Sequence, residues 1–494
     1  MALQFLRQHL SGAKSVAFAA MVGAFVAVQP VSVSHAQGPV SVADLAEQLA
    51  DAVVNISTSQ TVKGERSVPM PQVPDGSPFQ EFFEEFFNRQ NRGEDRPRRV
   101  QSLGSGFVVD GVEGIIITNN HVIEGADEIT ANFNDGTKLK AELIGTDEKT
   151  DIAVLKVTPD KPLKAVSFGD SDAIRVGDWV MAIGNPFGLG GTVTVGIVSA
   201  RNRDINSGPY DNFIQTDASI NRGNSGGPLF DMDGNVIGIN TAIISPSGGS
   251  IGIGFAIPAK TATRVISQLR EFGETRRGWL GVRIQEVTDE IAESLGMDEA
   301  MGALIAGVND DGPAAEAKIE PGDVILEFDG RPVETMRELP RMVAETAIGT
   351  AVDVVVLRKG EKVTLKVTLG RLEEAAAEDG DKDKGDDQTT DTPSDTEVLG
   401  MILAELDDAA RQEFGISEDV TGVVVKQVAP GSSAEEKRVQ AGDVIKEVAQ
   451  EPVATPDDVI EQVEKLKEDG RRSALLLLSN PTGELRFVPV RIED

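Results

Sequence analysis

The chain has 494 residues, of which 40% are hydrophobic, 26% are charged and 4% are aromatic, with 51 Gly and 24 Pro. This length predicts two to four domains, and the many turn formers favour a strand-rich structure. The formal net charge of −33 disfavours nucleic acid and anionic membrane as partners, because both require clustered Lys or Arg. The absence of cysteine excludes thiol nucleophiles, disulfides, thiolate zinc sites and iron–sulfur clusters.

Residues 1–36 are typical of an export signal. Arg7 and Lys14 precede an apolar run at Val16–Val28, and Ser34-His35-Ala36 places small residues at the −3 and −1 positions of a cleavage site. The apolar run has about 13 residues, whereas a membrane-spanning helix needs roughly 20. We therefore expect export with cleavage after Ala36, and a retained membrane anchor is the alternative. Cleavage would leave His121 as the single histidine of the mature chain.

The region from residue 101 to 257 is predicted to form a series of short strands. Runs of β-branched and apolar residues alternate there with Gly, Asn and Asp turns. No helix of ordinary length is predicted among them, which favours an antiparallel barrel or sandwich over a parallel α/β sheet. A helical pattern follows at Ala259–Phe272. The predicted strands are Gly106–Val109, Gly114–Thr118, Ile152–Val157, Trp179–Ile183, Val193–Ser199 and Val236–Ile239.

An internal repeat follows this region. The segment Glu320-Pro321-Gly322-Asp323-Val324-Ile325 recurs 120 residues later as Gln440-Ala441-Gly442-Asp443-Val444-Ile445. The repeat predicts two copies of one domain, at residues 275–371 and 397–492, behind a first domain at residues 37–272. The stretch 372–396 between the copies is strongly acidic and has no aromatic residue, so we predict an extended, mobile linker.

The hexapeptide Gly223-Asn224-Ser225-Gly226-Gly227-Pro228 is the strongest candidate for a catalytic turn. Two glycines after Ser225 permit a tight turn that exposes its hydroxyl among backbone amides, although an ordinary glycine-rich turn has the same composition. The motif also matches the nucleophile elbow of α/β-hydrolases. Those enzymes need a histidine after the serine, and no histidine follows Ser225.

His121 is the candidate general base, because a serine hydroxyl is a poor nucleophile until a base removes its proton. It lies in Thr118-Asn119-Asn120-His121, directly after the predicted strand Gly114–Thr118. A structural histidine at a strand end is the alternative. The pairing with a candidate nucleophile favours catalysis.

Asp151 is the candidate carboxylate that fixes the tautomer of the imidazole and stabilises the imidazolium. It opens Asp151-Ile152-Ala153-Val154-Leu155, in which the predicted strand would anchor it near the core. Simple strand initiation is the alternative role for Asp151. The competing carboxylates lie in segments with turn composition and are Asp147, Asp170 and Asp172.

The order His121, Asp151, Ser225 is that of chymotrypsin-like serine proteases and not of subtilisins or α/β-hydrolases. With the segment Gly252–Pro258, these motifs resemble the HtrA family. The two repeated modules resemble those of its Do-type, DegP/DegQ-like periplasmic members, and the resemblance covers nearly the whole mature chain.

The resemblance implies a mainly β fold, with a trypsin-like double β-barrel followed by two α+β PDZ-like domains. It implies a triad in the cleft between the barrels and an oxyanion hole made by the amides of Gly223 and Ser225. No metal or cofactor is expected. The implied activity is ATP-independent degradation of unfolded or misfolded periplasmic polypeptides, with chaperone activity permitted in the same molecule. A homotrimer, or a multiple of a trimer, is the implied assembly.

The substrate pocket is predicted to be apolar. In this fold its wall comes from a segment roughly 15–20 residues after the serine, and it would include Asn224 beside the nucleophile. A basic substrate side chain would be desolvated there without a partner, because the wall contains no acid. We expect small or medium aliphatic side chains to be accepted. The predicted wall consists of Thr241, Ala242, Ile243, Ile244 and Ser245.

Both repeated modules begin with a candidate carboxylate-binding loop. A turn of exposed amides can accept a peptide C-terminus while the adjoining strand edge pairs with the peptide backbone. A glycine turn that opens a β-domain is the alternative, and the second loop departs further from the family pattern. The loop residues are Gly278, Trp279, Leu280 and Gly281 in the first copy, and Leu399, Gly400 and Met401 in the second.

A stripe of phenylalanines indicates an amphipathic helix in a long loop near the mature N-terminus. This helix could pack against the protease core of its own chain or dock onto another subunit. The role of the corresponding loop in the family favours docking onto another subunit. The stripe comprises Phe79, Phe82, Phe83, Phe86 and Phe87.

The sequence therefore predicts an exported serine endoprotease for protein quality control. A chaperone or peptide-binding protein with little proteolysis is one alternative, and the intact candidate triad argues against it. A membrane-anchored signalling protease is the other. The short apolar run and the second repeat argue against that alternative.

Overall fold

The structure is a computed structural model that describes residues 41–62, 98–186, 191–221, 223–245, 249–372 and 396–492. The export signal predicted for residues 1–36 and the phenylalanine stripe lie outside the described residues, as does the acidic linker apart from its two end residues. In the described part of the chain, no helix is both long enough and apolar enough to cross a membrane.

The first described domain begins with a closed barrel of six antiparallel strands, in the order β1-β2-β3-β6-β5-β4. Strand β3 consists of β-branched residues alone, and all four of them are buried. A short helix, α2 (Asn120–Ile123), follows β3 and also contributes to the barrel core. Helix α1 (Ala43–Ala50) precedes the barrel in the chain. The strands are β1 (Val53–Val62), β2 (Arg98–Asp110), β3 (Ile115–Thr118), β4 (Glu128–Asn132), β5 (Lys138–Asp147) and β6 (Ile152–Val157).

A second closed barrel follows, in the order β10-β11-β12-β9-β8-β7. Helix α3 (Ala259–Phe272) begins directly after it, spans the range predicted from the sequence, and ends at Gly273 in the left-handed conformation. The two barrels confirm the predicted trypsin-like fold, and each of the six predicted strands overlaps an observed one. The strands are β7 (Trp179–Gly184), β8 (Thr192–Arg203), β9 (Phe213–Thr216), β10 (Pro228–Phe230), β11 (Val236–Ile243) and β12 (Gly254–Pro258).

The first PDZ domain has the sheet order β14-β15-β16-β18-β19, with β17 paired to β16 and a separate β13-β20 pair. Helix α6 buries Leu339, Met342 and Val343 in the domain core. The helices are α4 (Asp289–Leu295), α5 (Pro313–Glu316) and α6 (Glu338–Glu345). The strands are β13 (Gly278–Trp279), β14 (Val282–Glu286), β15 (Ala303–Val308), β16 (Val324–Phe328), β17 (Arg331–Pro332), β18 (Ala351–Arg358), β19 (Glu361–Thr368) and β20 (Gly370–Arg371).

The second PDZ domain repeats this plan with one difference at its edge. Its sheet order is β21-β22-β23-β24-β26-β27. Strand β22 is the counterpart of β14, and β21 pairs with the edge of β22 that corresponds to the outer edge of β14. The helices are α7 (Asp408–Phe414), α8 (Ser433–Glu436) and α9 (Pro456–Glu468). The strands are β21 (Thr396–Val398), β22 (Met401–Glu405), β23 (Val423–Val428), β24 (Val444–Val448), β25 (Glu451–Pro452), β26 (Ser473–Ser479) and β27 (Leu485–Arg491).

The sequence repeat corresponds to a repeated structural role. Asp323 accepts a hydrogen bond from the backbone N–H of Glu320 at 3.0 Å, and Asp443 accepts one from that of Gln440 at 3.0 Å. Each aspartate is almost fully buried and pairs with one arginine, Arg358 for Asp323 and Arg486 for Asp443. These buried carboxylates fix the turn that begins β16 and β24.

The two PDZ domains pack against each other. Ile291, Leu304 and Leu326 of the first form one apolar cluster with Leu477 and Phe487 of the second. The side-chain amide of Gln285 makes two hydrogen bonds, at 2.8 and 2.9 Å, with the backbone of Phe487. The described parts of the two modules therefore share an apolar cluster in addition to the core that each has of its own.

A buried ion pair joins the segment before the first PDZ domain to the first barrel. The guanidinium of Arg277 pairs with Asp147, and their side chains are 8% and 4% exposed. Thr275 supplies a hydroxyl to both residues, and the Arg277 guanidinium lies 4.8 Å from the centre of the Tyr210 ring. Asp147 ends strand β5, so the pair fixes the start of the turn that leads to Asp151.

Arg277→Ala should destabilise the protein by about 3–5 kcal/mol, because it leaves the Asp147 carboxylate buried without its cation. Chemical denaturation of the full chain would measure the loss. Arg175→Ala is the matched control, since it breaks a 3.1 Å pair whose arginine is 82% exposed, and exposed pairs contribute about 0–1 kcal/mol. Equal effects of the two substitutions would contradict the buried pair.

Candidate active site

The imidazole of His121 is held by the carboxylate of Asp151. His121 Nδ1 lies 2.7 Å from Asp151 Oδ2, and the backbone N–H of His121 donates to Asp151 Oδ1 at 2.9 Å. The side chains are 19% and 26% exposed, so both are shielded yet reachable. A hydrogen bond at Nδ1 leaves Nε2 as the nitrogen that can exchange a proton with a substrate-side group.

Asp151 lies in the tight turn directly before the strand predicted to anchor it, and that strand has the predicted bounds Ile152–Val157. Strand β6 starts one residue later, and Asp151 has a φ of 56° in the left-handed region. Its carbonyl accepts hydrogen bonds from the Asn119 side chain at 2.8 Å and from the Asn120 backbone at 3.2 Å. Asn119 and Asn120, which precede His121, therefore hold the start of helix α2 against the turn that contains Asp151.

Thr241 brings Ser225 to the same place. Its hydroxyl donates to Asp151 Oδ2 at 2.6 Å, while its carbonyl accepts from Ser225 Oγ at 3.4 Å. All three residues singled out for catalysis therefore lie around one residue of β11. The sequence suggested Thr241 only as a pocket wall, because the pairing of its side chain with a residue 90 positions away has no local signal.

The Ser225 turn depends on close backbone packing. A Cβ atom at Gly226 would lie 2.3 Å from the Ser105 carbonyl oxygen and 2.4 Å from Thr118 Oγ1, and the φ of 82° favours glycine. Among the described residues, no acceptor is found for the backbone N–H groups of Gly223 and Ser225. Within the described part of the chain, the two amides on either side of Asn224 therefore have no acceptor.

The other predicted pocket residues are divided between holding the turn and lining the surface. The Asn224 side chain is 2% exposed and donates to the Ser219 carbonyl at 3.2 Å. Ala242 is also buried, Ile243 and Ser245 are half-buried, and Ile244 is 40% exposed. Together with the contacts of Thr241, this places Asn224 and Thr241 in the support of the turn and leaves the later wall residues nearer the surface.

In the first PDZ domain, the candidate carboxylate loop leads into a free strand edge. Gly281 has a φ of 79°, and β14 is the terminal strand of its sheet among the described residues. Val282 and Ile284 of β14 are only half-buried, and they pack on the core cluster that contains Leu280 and helix α6. Trp279 and Gly278 lie in β13 and pair with β20.

In the second PDZ domain, the corresponding edge is filled by the chain itself. Leu399 and Gly400 form a two-residue turn between β21 and β22, with Val398 opposite Met401. Strand β21 also packs against helix α9, and Val398 joins the domain core. Met401 and Leu403 are consequently fully buried, unlike Val282 and Ile284 in the first copy.

The Asp151 carboxylate also controls the charge of the imidazole. Burial disfavours the imidazolium, but the charge and hydrogen bond of Asp151, with a smaller contribution from Glu124, raise the pKa of His121 above its ordinary value of 6.5. In the described part of the chain, no group of three His, Asp or Glu side chains is placed to hold a metal ion.

Comparisons with known proteins agree with this architecture. A trypsin-like peptidase domain model matches residues 104–239, and PDZ domain models match residues 278–369 and 388–478. A probable periplasmic serine endoprotease DegP-like of Brucella suis is 42% identical over 99% of both chains. One of the same description from Bartonella henselae is 44% identical over 91% of this chain and 89% of that protein.

Solved structures also relate this chain to HtrA-type proteases. The HtrA-type protease AlgW with a decapeptide is 44% identical, with a TM-score of 0.55, and the match covers 67% of this chain and 99% of that one. The double barrel and the two modules thus define a trypsin-like serine endopeptidase with two PDZ domains. The chain belongs to the HtrA family, among its DegP-like periplasmic serine endoproteases.

The pH dependence of hydrolysis should report the raised pKa of His121. The predicted general base acts only as the neutral imidazole, so kcat/KM should fall on the acid side with a midpoint above 6.5. Peptide hydrolysis measured across pH, alongside histidine NMR, would test this. Glu124→Gln should move the acid limb to lower pH, because it removes one charge that favours the imidazolium. An acid limb below 6.5 would contradict the prediction.

Proposed function

We propose that His121, Asp151 and Ser225 form the catalytic triad of this endopeptidase. The observation that carries the assignment is the position of Thr241, which contacts Asp151 and Ser225 together while Asp151 holds His121. Ser225 Oγ attacks the peptide carbonyl, and His121 takes its proton and then gives it to the leaving amine. Asp151 keeps the imidazole in the required tautomer and stabilises the imidazolium.

The unused amides of Gly223 and Ser225 are the proposed oxyanion hole. The tetrahedral intermediate carries a negative oxygen, which two preorganised N–H donors stabilise without reorganisation during the reaction. Removing one such donor costs about 2.7–4 kcal/mol in a comparable protease. Neither a metal ion nor ATP has a role in this mechanism.

Substrate selection is proposed to follow from the apolar wall after Thr241. Ala242, Ile243 and Ile244 offer no carboxylate to a basic side chain, so a lysine or arginine would be desolvated without a partner. Small and medium aliphatic side chains should be preferred before the scissile bond. Such residues are reachable mainly in unfolded polypeptides, which supports misfolded periplasmic proteins as the substrate class.

Ser225→Ala should abolish hydrolysis of casein, with less than about a thousandth of the activity remaining, because loss of a triad serine costs about 10⁶ in rate in a comparable enzyme. The melting temperature and the binding of unfolded casein should stay close to wild type. Ser219→Ala, a substitution in the same loop, is the matched control and should remain active. Comparable hydrolysis by the Ser225 variant would point to another nucleophile.

The first PDZ domain is proposed to bind the C-termini of polypeptides. The free edge of β14 can pair with a peptide backbone, and the loop at Leu280-Gly281 can accept its carboxylate. In the second domain, β21 runs antiparallel to β22 and lies where such a peptide would pair. The second domain should therefore bind no C-terminal peptide while β21 is in place.

One peptide should bind per chain. Calorimetry on the Ser225→Ala protein, with a peptide that ends in an apolar residue, would give the stoichiometry, and an amidated peptide should bind much more weakly. Gly281→Asp should weaken binding more than about tenfold by charge repulsion, since aspartate tolerates the left-handed backbone better than most residues. Gly360→Asp is the matched control and should have little effect, because Gly360 also has a left-handed backbone, a Cβ there would meet nothing within 4 Å, and it lies in the β18–β19 turn, at the opposite edge of the sheet from β14. Two sites per chain would overturn the assignment.

We also infer a role in holding unfolded chains, since peptide capture by a PDZ domain does not require cleavage. Suppression of aggregation by the Ser225→Ala protein would support such a chaperone activity. Export through a signal cleaved after Ala36, and assembly as a homotrimer or a multiple of one, are further proposals that follow from the sequence and the family. Mass spectrometry of the mature N-terminus and light scattering would test them.

A further inference from the structure

Ser105 of strand β2 is buried at 0% exposure and uses every polar group it has. Its N–H donates to the Ser225 carbonyl at 2.8 Å, and its hydroxyl donates to the Gly223 carbonyl. The same hydroxyl accepts from the Asn185 N–H at 2.8 Å, and the Ser105 carbonyl accepts from Thr118 Oγ1 at 2.7 Å. One first-barrel residue thus binds two carbonyls of the second-barrel nucleophile turn.

These contacts fix the peptide planes around the nucleophile. The plane between residues 223 and 224 is held at both ends, because its carbonyl accepts from Ser105 and its N–H donates to the Asn221 carbonyl at 3.0 Å. The plane between residues 225 and 226 is also held at both ends, by Ser105 and by the Asn240 carbonyl at 2.8 Å. Between them, the Asn224 carbonyl accepts from Gly227 at 2.9 Å.

The direction of the two unused amides follows from these planes. Carbonyl and N–H groups of one trans peptide point in opposite directions, so a held Asn224 carbonyl turns the Ser225 N–H to the other side. The Gly223 N–H is related to its own carbonyl by the backbone rotation at Gly223, a residue that tolerates many conformations. Without a donor on that carbonyl, rotation at this glycine would redirect the amide.

We propose that Ser105 is a positioning residue that keeps the Gly223 and Ser225 amides aimed at the oxyanion. It touches no substrate and acts through the carbonyls of these two residues. The inference rests on the proposed triad and oxyanion hole and adds the group that preorganises them. A Ser105→Ala substitution removes only the Ser105 hydroxyl. The backbone hydrogen bonds of residue 105 to Ser225 and Thr118 stay possible.

Ser105→Ala should lower kcat by about 10- to 100-fold, less than the roughly 10²–10³-fold loss for removing an oxyanion donor outright. KM for a short peptide should change little, because the hydroxyl supports a group used in the transition state. The inhibition constant of a peptide boronate, which forms a tetrahedral adduct on Ser225, should rise by a similar factor. The acid limb of the pH profile should not move, since the His121–Asp151 pair is untouched.

Two further variants separate positioning from general stability. Ser171→Ala is the matched control, because its hydroxyl is equally buried in the same domain and accepts the Lys260 N–H at 3.1 Å. It should keep wild-type kcat. Ser105→Cys keeps a weak donor at the same place and should recover part of the lost rate, and it also provides the test if the alanine variant does not fold.

Wild-type kcat in a folded Ser105→Ala protein would overturn the proposal, as would an equal loss of kcat in Ser171→Ala. A loss confined to KM, with the boronate constant unchanged, would also overturn it. Failure of the proposed function has a different signature. In that case Ser225→Ala itself would still hydrolyse peptides, whatever the Ser105 variants do.

Discussion

The carboxylate of Asp151 is the interaction on which the candidate site depends. It accepts hydrogen bonds from the imidazole and backbone of His121 and from the hydroxyl of Thr241, so one group ties together a turn, a short helix and a strand of the other barrel. Three donors fix the orientation of this carboxylate. The His121 imidazole is thereby held at Nδ1, and Thr241 links the same carboxylate to the turn that carries Ser225.

Hydrogen bonds to backbone groups also join the two barrels beside the candidate site. Ser105 binds the carbonyls of Gly223 and Ser225 from the first barrel, while Asn240 and Gly227 bind each other within the second. Gly226 permits this approach because any side chain there would collide with Ser105 and Thr118. The geometry of the candidate site is therefore a property of the contact between two barrels, and each barrel contributes part of it.

The two PDZ domains show how one sequence pattern can serve two purposes. Their buried aspartates, Asp323 and Asp443, perform the same structural task, yet the edge strands differ. Among the residues that the structure describes, the outer edge of β14 has no partner, whereas β22 is paired with β21. A free edge can recruit a peptide, and a filled edge satisfies its own backbone. The two modules also contact each other through an apolar cluster. This contact holds the domain with the free β14 edge next to the domain in which β21 fills the corresponding edge.

The sequence by itself determined a strand-rich chain, the repeat, the helix Ala259–Phe272 and the three candidate catalytic residues, because composition, periodicity and chain order are local or countable properties. The double barrel and the PDZ-like modules were expected from the family resemblance. The sequence placed Asp151 at the opening of a strand without indicating the left-handed turn that holds it, it placed Thr241 in a pocket wall, and it was silent on Ser105. Only the tertiary structure decided these points. The hydrogen bonds of Thr241 and Ser105 join residues about 90 and 120 positions apart, and such pairings arise only when barrels close and pack, which no local pattern encodes.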